Sequence, residues 1–261
     1  MINKPLLTLV KIGGNIIDDP VVLDRFLNDF AALNGFKILV HGGGKRATHM
    51  ANSLGLTPQF YEGRRITDLA MLEVAVMTYA GWINKSITAQ LQALNCNAMG
   101  FTGADGNLIL SKKRDIKSVD FGFVGDIVSV NTQLLNVLLH QNIIPVFSAI
   151  THNGTGQLLN TNADTIAATV AAELSISFNV KLLYCFEKKG VLSDVNDETS
   201  VIPHLTYNQY MALKHNGSLH SGMLPKLENC FAALSKGVSY VSIGGHHLLT
   251  NNEADFTLIT S

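Results

Sequence analysis

The chain has 261 residues, of which 47% are hydrophobic and 15% are charged, and its formal net charge is -1 at neutral pH. This composition supplies a large buried core and excludes an intrinsically disordered chain. Balanced charge, and the lack of any apolar run near the roughly 20 residues of a membrane span, argue against a nucleic acid or a membrane as partner. Three scattered cysteines without a CxxC pair, and an N-terminus without a signal-peptide cleavage site, predict a cytoplasmic protein with reduced thiols.

Short apolar runs alternate with longer helical stretches, which is typical of an α/β fold with a mainly parallel sheet. Residues 6–12 predict a first strand that stops at two glycines. Asp19-Pro20 then predicts the start of a helix, which Gly35 terminates. Residues 36–40 predict the second strand, followed by a glycine-rich turn at 41–44 and another helix.

The later elements continue the same alternation. Strands are predicted at residues 97–101, 123–124, 143–150, 180–185, 239–243 and 256–259. Helices are predicted from a cap at 67–68 to about residue 94, and at 132–140, 164–174, 206–216 and 223–236. Residues 153–156 predict the tip of a hairpin. Because the pattern restarts near residue 178, we expect two lobes, 1–178 and 179–261.

The first candidate site is Lys11-Ile-Gly-Gly14. A lysine at the end of a buried strand is costly unless an anion meets it, and Gly13 and Gly14 let backbone N–H groups approach a ligand closely. The alternative is an edge lysine beside an ordinary strand-to-helix turn.

The second site is His41-Gly-Gly-Gly44, between a strand and a helix. Glycines there expose amides at a helix N-terminus, which favours an anion. The spacing from Gly42 to Ala47 also satisfies a loose dinucleotide-binding fingerprint, with Glu62 following 20 residues after Gly42. A P-loop is excluded, because Leu39 stands where its first glycine should be.

The third site is Asn160-Thr-Asn-Ala-Asp-Thr165. If this segment is extended, Asn160, Asn162 and Asp164 share one face and present two amides and a carboxylate together. The alternative is that Asp164 only caps the helix that follows and that the asparagines fill a loop.

The fourth site is Ser221-Gly-Met-Leu-Pro-Lys226. Pro225 predicts the first turn of a helix, which places Lys226 at the helix N-terminus, where a cation opposes the dipole. A phosphate or carboxylate partner would resolve that conflict; a solvated surface lysine is the alternative.

Two lysines, two clusters of glycine amides and one carboxylate together predict phosphoryl transfer between anions, where positioning and charge stabilisation dominate catalysis. No histidine spacing indicates a metal site.

On these motifs, together with Arg65-Ile-Thr67, the chain resembles the acetylglutamate kinases of the amino-acid kinase superfamily over essentially its whole length. The resemblance implies a three-layer αβα sandwich with a mainly parallel open sheet. It implies an N-terminal lobe that binds the N-acylated glutamate and a C-terminal lobe that binds ATP. The reaction that the resemblance implies is phosphorylation of the substrate γ-carboxylate, in arginine biosynthesis.

The family's residue roles carry over by position. Lys11 would stabilise the phosphoryl group in flight, Lys226 would hold the ATP phosphates, and Asp164 would orient both lysines. Amides around Gly13, Gly14 and Gly44 would bind phosphate. The acylglutamate would be held by residues that include an arginine clamp on its α-carboxylate: Gly43, Gly44, Arg65, Asn160 and Asn162. Mg²⁺ would arrive on the nucleotide, so no protein metal ligand is expected.

Three departures from the family pattern stand out. Cys185-Phe-Glu-Lys-Lys-Gly190 replaces a small hydroxylated residue and an aspartate, and Phe256-Thr257 replaces a Gly-Thr pair. Lys45-Arg46 follows the glycines where a proline is usual, and Arg64 stands where an apolar residue is usual. Extra cations suit a second carboxylate, so Lys45 and Arg64 are candidate contacts for an N-succinyl rather than an N-acetyl group. The alternative is that they are solvated surface charges.

Arginine-inhibited relatives carry an extra N-terminal helix, which this chain has no room for before its first strand. We therefore expect a homodimer that is insensitive to arginine and pairs through its N-terminal lobe.

Two other functional classes remain as alternatives: an NAD-dependent oxidoreductase, which would leave Lys11, Asp164 and Lys226 without a role, and a non-catalytic binding protein on the same fold. A kinase for carbamate, aspartate or a nucleotide is a third alternative.

Overall fold

A computed structural model describes residues 4–194, 196–217, 219, 222–250 and 256–260. Ser221, from the fourth motif, lies outside these residues. The chain folds into two compact units, one of residues 1–38 and 167–261 and the other of residues 39–166. These units divide the chain elsewhere than at the boundary predicted near residue 178. Residues 6–12 pair in parallel with residues 179–185, so the first strand belongs to the same unit as the strands that follow residue 167.

The first unit is built on a mainly parallel sheet. Its elements are β1 Leu6–Ile12, α1 Gly14–Asp18, α2 Pro20–Ala32, β11 Asn179–Cys185, β12 His204–Thr206, α8 Tyr207–His215, α9 Leu224–Ser235, β13 Tyr240–Gly244, a 3-10 helix His246–Thr250 and β14 Phe256–Thr260. Strand order is β12-β14-β13-β11-β1, and only the β13–β14 pair is antiparallel among these neighbours.

Helix α2 shows how local sequence fixes an element of this unit. Asp19 Oδ1 accepts hydrogen bonds from the Val21 and Val22 amides at 2.9 and 3.1 Å, and Pro20 occupies the first turn, as predicted. At the other end, the buried Lys37 ammonium donates to the carbonyl oxygens of Phe30, Ala31 and Leu33. A cation therefore satisfies carbonyls at the negative end of the helix.

The second unit holds the middle of the chain. Its elements are β2 Phe36–His41, which enters from the first unit, α3 Gly44–Ser53, β3 Phe60–Tyr61, β4 Arg64–Arg65, α4 Leu69–Ala75, a π-helix Val76–Ile83, α5 Asn84–Ala93, β5 Ala98–Phe101, a 3-10 helix Asp105–Asn107, β6 Ile109–Lys113, β7 Gly125–Val130, α6 Thr132–His140, β8 Ile144–Phe147, β9 Ile150–His152, β10 Leu158–Asn160 and α7 Ala163–Leu174, which continues into the first unit. Strands β2, β8 and β5 are neighbours in that order and pair in parallel, β10-β9-β6-β7 form a mainly antiparallel sheet, and β3 and β4 form a hairpin.

The predicted α/β class with a mainly parallel sheet is confirmed, and three local predictions need correction. Residues 123–124 are not a strand; Val124 makes only an isolated bridge to Asn160. The apolar run at 143–150 forms two strands, β8 and β9, instead of one. The helix capped by Asp68 does reach residue 93, but it passes through a π-helix. No helix among the described residues is long and apolar enough to cross a membrane.

Candidate active site

In the first unit, the end of β1 approaches the end of β11. Lys11 lies near the carboxyl end of β1, and the Gly13 amide donates to the Cys185 carbonyl at 2.9 Å. A Cβ at Gly13 would lie 3.5 Å from the Phe186 Cβ, so a side chain there would fill the space beside Phe186. Gly14 begins helix α1, for which Gly13 supplies no side-chain cap. Backbone amides and Lys11 thus lie at the same end of the sheet.

Lys226, on helix α9, lies close to the carboxyl end of β11. Its Nζ lies 5.5 Å from the centroid of the Tyr184 ring and 5.8 Å from that of Phe186. Lys11 is paired with Tyr184 across β1 and β11, and residues paired in neighbouring strands share a face of the sheet. Lys11, Gly13 and Lys226, which sequence analysis selected from distant motifs, therefore meet around residues 184–186.

The thiol of Cys185 lies at the centre of this region without being reactive. Burial raises its pKa, although the positive charge of Lys11 opposes that rise. The side chain therefore stays a neutral thiol, and its backbone carbonyl, which receives the Gly13 amide, is the part that shapes the turn.

A cavity of about 350 Å³ adjoins Lys226. It is lined by Phe186, Glu187, Lys188, Gly190, Val191, Leu192, Leu219, Gly222, Met223 and Lys226. The segment 185–190, which departs from the family pattern, therefore still forms a pocket wall. Most of the remaining wall is apolar, which suits a planar, weakly polar group next to the lysine.

Gly190 and Thr257 hold this wall in place. A Cβ at Gly190 would lie 2.6 Å from Thr257 Oγ1 and 2.8 Å from Val201 Cγ1, so only glycine fits. Thr257 is completely buried, and its hydroxyl accepts a hydrogen bond from the Val191 amide at 2.8 Å. The sequence marks Thr257 only as part of a departure from the family pattern and predicts no role for Gly190. The signal for this wall is a glycine that closes the segment after a buried strand.

In the second unit, the glycine turn packs closely on the π-helix. Gly43 has φ +154°, and a Cβ there would lie 2.9 Å from Tyr79 Cδ1 and would overlap Ile83 Cδ1. Gly44 begins α3, so the backbone amides in the first turn of that helix have no acceptor within the helix. Glycine at position 43 is therefore required both by backbone conformation and by close contact.

Arg65 is fixed beside this turn. Its Nη2 donates to the Gly44 carbonyl at 2.9 Å and to Thr48 Oγ1 at 2.7 Å, and its guanidinium lies 4.7 Å from the centroid of the Phe60 ring. Its Nη1 is buried and makes no hydrogen bond to the described residues. Burial raises the pKa of the neighbouring Tyr79 phenol despite the opposing charge of Arg65, so Tyr79 stays neutral.

In the segment from Asn160 to Asp164, the side chains of the asparagines make different contacts, and Asp164 lies within a helix. Asn160 ends β10, and its Nδ2 donates to Thr67 Oγ1 at 3.0 Å. Asn162 Oδ1 accepts from the Thr165 amide at 3.0 Å, so Asn162 caps helix α7. Asp164 lies inside the first helical turn. The alternative in which Asp164 is the capping residue is therefore wrong.

The extra cations near the glycine turn do not gather at one point. The Arg46 guanidinium lies 5.3 Å from the centroid of the Trp82 ring, and Lys45 is exposed. Arg64 lines a separate cavity of about 340 Å³ together with Arg114 and Asp126. The lining of that cavity does not include the glycine turn. Among the described residues no group of three or more His, Cys, Asp or Glu is arranged to hold a metal ion.

Comparison with known proteins identifies the family. Residues 7–245 match the Amino acid kinase family. The chain is 51% identical over 240 residues to an acetylglutamate kinase of Bacteroides fragilis, covering 92% of both chains, and 54% identical over 238 residues to one of Azobacteroides pseudotrichonymphae, covering 91% and 92%. The solved structure of smu.665 from Streptococcus mutans UA159 shares the fold, with a TM-score of 0.78 and 22% identity over 97% of this chain and 98% of that one. The chain belongs to the amino acid kinase family, among the acetylglutamate kinases.

Proposed function

We propose that the protein transfers the γ-phosphoryl group of ATP to the γ-carboxylate of an N-acyl-L-glutamate, giving the acyl phosphate and ADP in arginine biosynthesis. The observation that carries this proposal is the meeting of Lys11, Gly13 and Lys226 beside a cavity of about 350 Å³. Two cations and backbone amides at one sheet end fit a polyphosphate, and the adjoining apolar cavity fits a nucleoside.

The residues proposed to act on the nucleotide and on the moving phosphoryl group have defined parts in this reaction. The nucleoside would occupy the cavity, and Lys226 would hold the phosphates. Lys11 and the amides around Gly13 and Gly14 would stabilise the negative charge on the phosphoryl group as it moves. A carboxylate nucleophile is already ionised near neutral pH, so no general base is needed, and Asp164 would act through its charge. Mg²⁺ would enter on the nucleotide and neutralise its phosphates.

The second unit would bind the acceptor. The Arg65 guanidinium would clamp the α-carboxylate, while Gly43 and Gly44 amides would meet the reacting end of the substrate. Asn160 and Asn162 would border the acyl-amino group. The bond that forms joins a γ-carboxylate oxygen to the γ-phosphorus, and the bond that breaks joins that phosphorus to the β–γ bridging oxygen, which leaves on ADP.

The acyl group is either acetyl or succinyl. Lys45 is exposed and directly follows the glycine turn, whereas Arg64 lines a separate cavity, so Lys45 is the candidate that we test for contact with a second carboxylate. If it does so, Lys45→Ala will lower kcat/KM for N-succinyl-L-glutamate about tenfold and leave that for N-acetyl-L-glutamate within about twofold. Equal preference for the acetyl substrate in both proteins would exclude the succinyl assignment.

We also propose a cytoplasmic homodimer. Large apolar side chains are exposed on the second unit, among them Met77, Trp82 and Met99, and β5, which carries Met99, lies at the edge of its sheet. Apolar surface of this kind is typical of an interface between subunits.

The direct test is ATP-dependent formation of acyl phosphate, trapped with hydroxylamine, on N-acetyl-, N-succinyl- and free L-glutamate. We expect hydroxamate from at least one acylated form and none from free glutamate. Failure on all three with Mg-ATP present would favour a non-catalytic binding protein or another carboxylate substrate.

A further inference from the structure

The π-helix Val76–Ile83 interrupts an otherwise continuous α-helical stretch. At its end the Asn84 amide donates to the Tyr79 carbonyl, five residues back, as a π-turn requires. π-Helical segments within α-helices frequently lie at functional sites. In a regular α-helix, residues five apart are about 140° apart around the axis, so Tyr79 and Asn84 would face different directions. The wider turn lets both reach the same neighbour.

That neighbour is the glycine turn at residues 41–44. Tyr79 and Ile83 close the space around Gly43, as described above. Asn84 Nδ2 contacts the ring of His41 at 3.0 Å from Nε2. His41 is completely buried and immediately precedes the three glycines. The π-helix and the residue that follows it therefore contact the turn at Gly43 and at His41.

Hydrogen bonds fix the orientation of both side chains. His41 Nδ1 lies 2.8 Å from the Gly42 carbonyl, so Nδ1 must donate and Nε2 must accept from Asn84. Asn84 Nδ2 also donates to the Val146 carbonyl at 2.9 Å, while Lys85 Nζ donates to Asn84 Oδ1 at 3.3 Å. A flipped Asn84 amide would break all of these contacts, so the network has a single arrangement.

We propose that Asn84 and His41 are positioning residues for the glycine turn. Asn84, placed by the π-helix, orients the His41 ring, and His41 holds the Gly42 carbonyl, which fixes the direction of the Gly43 and Gly44 amides. The inference rests on the proposed function, because those amides would meet the reacting end of the acylglutamate. Amides that point correctly before substrate binds cost no reorganisation in the transition state.

The test compares Asn84→Ala with Thr78→Val. Thr78 is a matched control: it lies in the π-helix that directly precedes Asn84, it is equally buried, and its hydroxyl donates to the backbone carbonyls of Val74 and Ala75 in the same helical stretch. We expect Asn84→Ala to lower kcat for the acylated substrate at least about tenfold per folded enzyme, with KM for ATP within about twofold. Thr78→Val should keep both constants within about twofold. The double variant His41→Ala/Asn84→Ala should be no worse than the poorer single variant, because both residues act through one contact.

Hydrogen–deuterium exchange supplies a second measurement that does not depend on turnover. Amides of residues 42–46 should exchange faster in Asn84→Ala than in the wild-type protein, and at the wild-type rate in Thr78→Val. If Asn84→Ala does not fold, Lys85→Met removes the hydrogen bond to Asn84 Oδ1 from an exposed position and should change exchange and kcat in the same direction by a smaller factor.

The outcomes separate the two proposals. A wild-type protein that phosphorylates no acylglutamate overturns the proposed function, and the exchange measurement still decides whether Asn84 positions the turn. A folded Asn84→Ala variant with wild-type kcat, or with unchanged exchange at residues 42–46, overturns the positioning role.

Discussion

Asn162 and Asp164 lie two residues apart at the start of α7, yet their side chains have different tasks. Asn162 caps the helix through the Thr165 amide, which leaves the Asp164 carboxylate for a role other than capping. A cap contributes to stability, whereas a carboxylate that orients catalytic lysines contributes to turnover. The two residues therefore provide a matched pair for separating structure from catalysis.

We predict that Asp164→Asn lowers kcat at least about a hundredfold with little change in thermal stability, because the charge and not the shape of the side chain is lost. Asn162→Ala should lower the free energy of unfolding by about 1 kcal/mol through loss of the cap. Steady-state kinetics and thermal denaturation of both variants check this. The reverse pattern, with Asp164→Asn unstable but active, would contradict the assigned role.

Arg65 is held by the Gly44 carbonyl and Thr48 through Nη2, and its guanidinium is our proposed partner for the α-carboxylate. Arg65→Lys keeps the charge but cannot hold both partners and a ligand with one ammonium group. We expect KM for the acylated glutamate to rise about tenfold to a hundredfold, with KM for ATP almost unchanged. Arg114→Lys, at an arginine paired with Asp126 in the same unit, is the control and should leave both constants unchanged. Equal effects of the two variants would count against a substrate role for Arg65.

At the level of elements, the buried hydroxyl of Thr257 on β14 supports the segment that lines the cavity. Thr257→Val keeps the shape of the side chain but leaves the buried Val191 amide without its acceptor. We expect the free energy of unfolding to fall by about 1–3 kcal/mol and KM for ATP to rise. Thr257→Ser, which keeps the hydroxyl, should retain the affinity for ATP. Chemical denaturation and nucleotide titration of the two variants would show whether the hydroxyl or the methyl group matters.

Sequence alone predicted most elements of this fold because their signals are local. Asp19-Pro20 and Asp68 cap helices, and glycines end β1 and β2, so these boundaries were predictable. The π-helix was not, because residues 76–83 carry an apolar pattern that an α-helix also satisfies, and the wider turn depends on packing against Gly43. The contacts of Arg65 with Thr48, and of Asn84 with His41, join residues 17 and 43 positions apart, which no local pattern encodes.

At the level of the whole molecule, the proposed homodimer would cover the apolar side chains of the second unit. Trp82 is 61% exposed, and we predict that Trp82→Glu shifts the protein from dimer to monomer in sedimentation velocity. Val21→Glu places the same charge at a 79% exposed residue of the first unit and should leave the dimer intact. A monomeric wild-type protein, or a Trp82→Glu variant that remains dimeric, would contradict the proposed interface.

The central claim is transfer of a phosphoryl group to a γ-carboxylate, and phosphorus NMR observes that transfer directly. With Mg-ATP and N-acetyl-L-glutamate or N-succinyl-L-glutamate, we predict a new acyl-phosphate resonance that grows in step with ADP. N-acetyl-L-glutamine, which has an amide in place of the γ-carboxylate, should give neither signal. Consumption of ATP to ADP and inorganic phosphate without an acyl-phosphate resonance, or no consumption with either acylglutamate, would contradict the account.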